Sequence, residues 1–185
     1  MDFEYTPSQR EFRAELRAWL EEHLPAGWRE GNCTLPADMA ERESFLRDWQ
    51  RELYEGGWVG ISWPAEYGGQ DATLMEQLIF NQEMARVNAP LLVNRVGILL
   101  VGPTLTEIGT ETQKDRFLHP ILTGEEVWCQ GFSEPNAGSD LANLRTRAEL
   151  INDDWVVDGQ KIWTSYAQFA DWCFLLARTD ESGNK

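Results

Sequence analysis

The chain has 185 residues, 42% hydrophobic and 25% charged, close to the globular average, which excludes a disordered, collagen-like or disulfide-stapled polypeptide. Thirty-one acidic against sixteen basic residues give a net charge of -15, spread over both halves, so nucleic acid and anionic membrane surfaces are repelled over most of the exterior. No apolar stretch approaches the ~20 residues that span a bilayer, and none of the chain reads as a transmembrane segment.

Thr6-Pro7-Ser8-Gln9 starts a first helix, with Thr6 as cap, Pro7 at the first helical position and Gln9 completing a capping box. Phe12, Leu16, Trp19 and Leu20 continue it at helical spacing, and His23 with Pro25 marks its end. Pro36 opens a second helix carrying Phe45, Trp49 and Leu53, which Gly56-Gly57 stops by supplying positive φ. Thr73 and Glu76 form another capping box for a third helix to about Arg86. Two more helical stretches are predicted over 94–105 and 112–118.

After Gly124 the pattern changes to short β-prone runs at 127–133, 146–150, 155–157, 160–165 and 171–177, separated by turns such as Asn152-Asp153-Asp154 and Asp158-Gly159. The fold class is therefore α+β: an all-α domain over 1–125, then a β-barrel or sandwich domain over 126–185. Roughly 60 residues of strand-rich chain are few for such a domain, so it reads as truncated.

The amino terminus, Met1-Asp2-Phe3-Glu4-Tyr5, lacks the features of a secretory signal or a transit peptide, so a cytoplasmic location is expected. Cys33, Cys129 and Cys173 are odd in number and without CxxC spacing, which reads as reduced thiols and no metal site. His23 and His119 each read as following a helix, in helix-terminal or exposed positions. Trp28, Trp58 and Trp63 lie near loops and form either a packing face for a neighbouring domain or part of the core.

Two segments carry chemistry. Cys129-Gln130-Gly131-Phe132-Ser133-Glu134-Pro135-Asn136-Ala137-Gly138-Ser139-Asp140 runs from a strand into a loop of small residues. There Gly138 leaves backbone N–H groups open to a phosphate and Ser139 adds a hydroxyl. On turn chemistry alone the same residues are a Gly-Ser-Asp connection between strands. Asp158-Gly159-Gln160-Lys161-Ile162-Trp163-Thr164-Ser165 places a large aromatic beside two hydroxyl residues. An indole face can cover a flat heteroaromatic ring while Thr164 and Ser165 address its polar edge. Trp163 is equally an ordinary strand core residue.

Taken together, these segments, with Leu175-Leu176-Ala177-Arg178-Thr179-Asp180, Trp63-Pro64-Ala65-Glu66-Tyr67-Gly68-Gly69, Gly109-Thr110-Glu111-Thr112-Gln113-Lys114 and Leu122-Thr123-Gly124-Glu125, resemble the acyl-CoA dehydrogenase family. The resemblance implies a helical amino-terminal domain, a middle β domain and a carboxy-terminal four-helix domain that this sequence lacks. It implies FAD as cofactor and an acyl-CoA substrate. In that chemistry a carboxylate removes the α-proton, the β-hydrogen leaves as hydride to the flavin, and a 2,3-enoyl-CoA results. An electron-transfer flavoprotein or similar acceptor follows, and the full-length form is expected to be a homo- or hetero-tetramer.

Carried over by motif, Gln130, Phe132 and Ser133 line the flavin, Gly138 and Ser139 lie near its pyrophosphate, and Ser139 also touches the CoA portion of the substrate. Trp163 packs on the flavin face away from substrate, Thr164 contributes backbone contacts and the Ser165 hydroxyl points toward N5. Glu134 and Asp140 are read as acceptors that fix the loop, and the catalytic base is expected outside this chain, which leaves the chain inactive alone. Phe132, Asn143 and Tyr166 depart from the family's usual residues, and Ser133 and Ser165 replace the commoner Thr. The form Trp128 to Pro135 resembles bacterial branches acting on bulky, branched, dicarboxylic or steroid acyl-CoAs, some of which are heteromeric. Alternatives are a flavin oxidase or monooxygenase of the same fold, and a non-catalytic supporting subunit.

Overall fold

The computed structural model describes residues 4–28, 31 and 34–179. Cys33, Asp180 and the polar end at 182–185 lie outside the described residues. The chain divides into two compact units, Met1–Glu125 and Glu126–Lys185.

The first unit is helical. α1 spans Pro7–His23, and its capping box is formed: Thr6 Oγ1 accepts from the Gln9 N–H at 3.3 Å while Gln9 Oε1 accepts from the Thr6 N–H at 3.0 Å. α2 spans Met39–Glu55 and starts three residues later than Pro36 would have it, because Asp38 is the cap that accepts from Ala40 and Glu41 N–H. Gly57 takes the positive φ that ends α2, whereas Gly56 stays right-handed and is small because the Trp19 indole occupies its Cβ position. α3 spans Leu74–Arg86 behind the Thr73 and Glu76 capping box. α4 covers Gly102–Ile108 and α5 covers Glu111–Thr123.

Two predicted helices differ from expectation. The stretch expected over 94–105 contains a π-helical turn, Gly97–Val101, before α4. Pro103 has no N–H to offer the carbonyl five residues before it, and Trp63 Nε1 supplies that bond to the Ile98 carbonyl at 3.0 Å. The Trp63 ring fills the space where Gly102 would carry a Cβ. α5 runs past the expected end at Leu118 and through Pro120, because Leu118, Ile121 and Leu122 are buried together and Gln50 Nε2 donates to the Ile121 and Leu122 carbonyls at 3.0 and 3.1 Å. Tertiary burial outweighs the one backbone bond that proline removes.

Leu16, Leu20, Leu53, Val59, Trp63, Ile79, Val93, Val101, Ile121 and Leu122 form the core of this unit, and Trp28 and Trp58 are also buried. The three tryptophans therefore belong to the interior and form no docking face. Glu83 is buried on α3, where Arg13, Arg17 and Arg86 ion-pair with it at 3.1, 2.8 and 2.7 Å. Burial pushes its carboxyl up, and the bonds from Arg17 and Arg86 outweigh that and hold it below the usual range. His23 is the last residue of α1, bonded to Glu52 at 2.6 Å, and His119 lies inside α5 against Tyr54, so neither follows its helix.

The second unit holds four short strands in two pairs. β1 (Trp128–Gly131) pairs in parallel with β4 (Trp172–Leu175), with Cys129 opposite Cys173. β2 (Arg147–Ile151) and β3 (Asp154–Asp158) form an antiparallel hairpin. Its two loop residues, Asn152 and Asp153, have φ of 52° and 69°, the left-handed pair that matches the twist of a hairpin. Beyond β4 the Ala148 N–H donates to the Arg178 carbonyl and the Arg178 N–H to the Thr146 carbonyl, both at 2.8 Å, which joins the two pairs. Among the described residues no helix is long and apolar enough to cross a membrane.

Candidate functional site

β1 buries Trp128 and Cys129 and leaves Gln130 half-buried before the chain leaves the strand at Phe132. The Phe132 ring leans on Phe174 of β4, with centroids 5.4 Å apart. A tight turn follows, in which the Glu134 N–H donates to the Ala137 carbonyl at 2.7 Å and the Ala137 N–H returns to the Glu134 carbonyl at 3.1 Å. Gly138 and Ser139 come next and are exposed. A Cβ on Gly138 would meet nothing within 4 Å, and its φ lies outside the left-handed region, so neither packing nor conformation requires glycine there.

The second segment is not the strand expected over 160–165. Residues 160–164 are irregular and lead through a turn into a 3-10 turn at Ala167–Phe169. The reason lies in a distant segment: the Ile162 N–H donates to the Ser133 carbonyl at 2.9 Å, and the chain then reverses through Trp163 and Tyr166, whose φ are 58° and 66°. Positive φ is costly for bulky side chains and incompatible with a continuing strand. Tyr166, a departure from the family's usual Asn, thus occupies a backbone conformation that Asn adopts more readily. The Trp163 side chain is 81% exposed, so it is no core residue.

Glu134 ties the two segments together. Its carboxylate accepts from the Arg145 N–H at 2.6 Å, the Thr146 N–H at 2.8 Å, the Thr146 hydroxyl at 2.6 Å and the Lys161 ammonium at 2.9 Å. Burial pushes the carboxyl up, but those donors outweigh it and hold it down at about 2. A carboxylate so engaged fixes a loop and does not accept a substrate proton. Asp140 is exposed and contributes its backbone carbonyl, which accepts from the Asn143 N–H at 3.1 Å.

Of the predicted site residues, Ser133 is joined directly to the second segment, and Gln130, Phe132 and Thr164 are half-buried around that junction's two arms. Among the described residues, no hydrogen bond joins Gly138 or Ser139 to Trp163, Thr164 or Ser165. Two positively charged residues escaped sequence reasoning. Lys161 also donates to the Phe132 carbonyl at 3.0 Å, and Arg178 donates to the Leu144 and Ala142 carbonyls at 2.7 and 2.6 Å. The available signal was a single cation inside each of two otherwise apolar or hydroxyl-rich motif segments. No group of three His, Cys, Asp or Glu among the described residues is placed to hold a metal ion.

The helical unit holds a separate cavity of about 470 Å³ lined by Trp58, Ile61, Phe80, Met84, Leu92 and Ile98, with Arg95 beside them. Its size and apolar lining suit part of a bulky apolar ligand. No sequence pattern pointed to it, since its walls come from three separate stretches of chain.

Residues 6–125 match the family described as acyl-CoA dehydrogenase, N-terminal domain, and residues 129–185 match acyl-CoA dehydrogenase, middle domain. The chain is 46% identical to acyl-CoA dehydrogenase IpdE1 of Mycolicibacterium smegmatis, over 95% of this chain and 47% of that protein. It is 41% identical to acyl-CoA dehydrogenase FadE26 of Mycobacterium tuberculosis, over 100% of this chain and 46% of that protein. Among solved structures, the ChsE4-ChsE5 complex from Mycobacterium tuberculosis superposes with a TM-score of 0.80 at 40% identity, over 98% of this chain and 44% of that one. The Tcur3481-Tcur3483 steroid ACAD superposes with a TM-score of 0.80 at 40% identity, over 98% and 46%. The chain thus spans about half the length of the relatives it matches.

Proposed function

The chain belongs to the acyl-CoA dehydrogenase family, and from that premise we propose that it supplies the helical domain, 1–125, and the opening of the middle domain, 126–185, of an FAD-dependent enzyme that desaturates an acyl-CoA thioester between its α and β carbons. The observation that carries the reading is the junction at Ser133 and Ile162, which ties the backbone just before the exposed Trp163 to the chain leaving β1, ahead of the unobstructed Gly138.

The residues fit the cofactor. Trp163 offers its exposed indole face to a flat ring, with the Ser133 and Ser165 hydroxyls and the Thr164 backbone at its edge. Gln130 and Phe132 line the same end of β1, and Gly138 and Ser139 leave room for a pyrophosphate to approach the backbone. Ser139 also addresses the CoA portion of the substrate. Bound FAD supplies the two-electron acceptor for the hydrogen leaving the β-carbon. The loop carboxylate Glu134 is committed to four donors, so it is not the base that takes the α-proton.

The similarity to a steroid acyl-CoA dehydrogenase favours a bulky, ring-bearing acyl group. An acceptor flavoprotein receives the electrons, and the working enzyme is a tetramer, with a soluble, cytoplasmic home. A second reading has one supporting observation, since two of the solved relatives are two-protein complexes: this chain then binds a catalytic neighbour and turns nothing over itself.

The test is the flavin spectrum of the complete reading frame's product, purified with the products of neighbouring genes, followed by anaerobic titration with a panel of acyl-CoAs. Copurified flavin bleached by one acyl-CoA without oxygen is the expected result. Product formation only with oxygen would replace the dehydrogenase with an oxidase, and absence of flavin in every preparation would favour the supporting subunit.

A further inference from the structure

Resting on the flavin reading above, we infer that Lys161 and Glu134 form a positioning pair that sets the spacing and backbone conformation of the two cofactor-facing segments. Three bonds cross between these segments: the Ile162 N–H to the Ser133 carbonyl at 2.9 Å, and the Lys161 ammonium to the Phe132 carbonyl at 3.0 Å and to Glu134 at 2.9 Å. All of them fall within two residues of Ser133 on one side and Trp163 on the other.

The energetics favour positioning over bulk stabilisation. The Lys161 and Glu134 side chains are only 12% and 7% exposed, so both charges have been taken out of water. Burying an ion pair gains little over packing apolar side chains of the same volume, and its distinctive contribution is directional. Here the Glu134 carboxylate also accepts from the Arg145 N–H and from the Thr146 N–H and hydroxyl, so the pair is held from several directions in one geometry. Directly after these anchors comes Trp163 at φ 58°, a conformation a bulky residue keeps only when its surroundings impose it. Lys161 and Ile162 are the anchors that precede it, and the exposed indole has few contacts of its own to hold it. Releasing Lys161 lets residue 163 relax and changes the orientation of its indole.

The experiment compares wild type, Lys161→Met and Lys161→Arg in the complete reading frame's product, by amide hydrogen exchange without flavin and by flavin retention with it. Exchange over 162–167 is expected to rise in Lys161→Met while the 147–158 hairpin stays protected, and Lys161→Arg, which keeps charge and donors, is expected to restore protection. Flavin affinity is expected to fall about tenfold or more in Lys161→Met, the equivalent of one charge-assisted hydrogen bond, with partial recovery in Lys161→Arg. Unchanged exchange over 162–167, or unchanged flavin affinity, overturns the inference. If Lys161→Met loses the hairpin protection, Lys161→Gln repeats the comparison, and loss of protection there too makes the pair a folding element and overturns the positioning role. A wild type that binds no flavin overturns the flavin reading, while the exchange arm still decides whether Lys161 holds the loop.

Discussion

The Ile162 N–H donates to the Ser133 carbonyl at 2.9 Å, a bond between residues that stand 29 positions apart in the chain and belong to two different motif segments. It turns the second segment out of strand geometry and leaves Trp163 standing free of the unit's interior. The consequences are measurable.

Trp163→Ala separates function from stability. The side chain is 81% exposed, so its removal is expected to change unfolding free energy by less than about 0.5 kcal/mol. Loss of a stacking face is expected to weaken flavin binding by roughly fivefold, from the ~1 kcal/mol such aromatic contacts contribute. Denaturant unfolding and flavin titration of the same preparation check both halves, and a large stability loss with intact flavin binding would reverse the assignment.

Acid is expected to loosen the second unit. The Glu134 carboxyl sits at about 2 against an ordinary value of 4.5, so its charged form favours the folded state. That contribution is complete above about pH 4.5 and is lost as pH falls toward 2. Fluorescence-monitored unfolding across this window is expected to show the loss, and Glu134→Gln is expected to flatten it.

Gly102→Ala is expected to cost about 1–3 kcal/mol, the usual range for overpacking a filled core. The new methyl would overlap the Trp63 ring, which is 2% exposed and held by its bond to the Ile98 carbonyl. Thermal denaturation measures the cost, and pairing the change with Trp63→Phe is expected to recover part of it, a non-additivity that independent sites would not show.

The thiols of the paired strands should differ sharply in reactivity. Burial, then the neighbouring Cys173, pushes the Cys129 thiol up to about 11. Its thiolate fraction near pH 7.5 is then on the order of a hundredfold below that of an ordinary cysteine. Site-resolved mass spectrometry after brief iodoacetamide treatment is expected to find Cys173 modified well before Cys129. Equal labelling of the two would contradict the burial of Cys129.

The helical half was legible because its signals are local. A capping box such as Thr6 with Gln9 satisfies backbone donors within one turn, and the period of Phe45, Trp49 and Leu53 marks the apolar face of α2, where Trp49 and Leu53 are buried. The two motif segments stood out only as a pair, since each alone reads equally as a turn or a strand. The π-helical turn, the extension of α5 through Pro120 and the reversal at Trp163 were not legible. Each is decided by a group distant in sequence: Trp63 bonding the Ile98 carbonyl, Gln50 bonding the Ile121 and Leu122 carbonyls, Ser133 accepting from Ile162. The family, the succession of helices before strands and the hairpin turn at Asn152 and Asp153 could be read from the residues alone, because these depend on neighbours a few positions away. Only the tertiary structure decided which strand becomes a loop, which tryptophan is exposed and which lysine and glutamate meet, because burial and hydrogen bonding between distant segments outweigh local propensity.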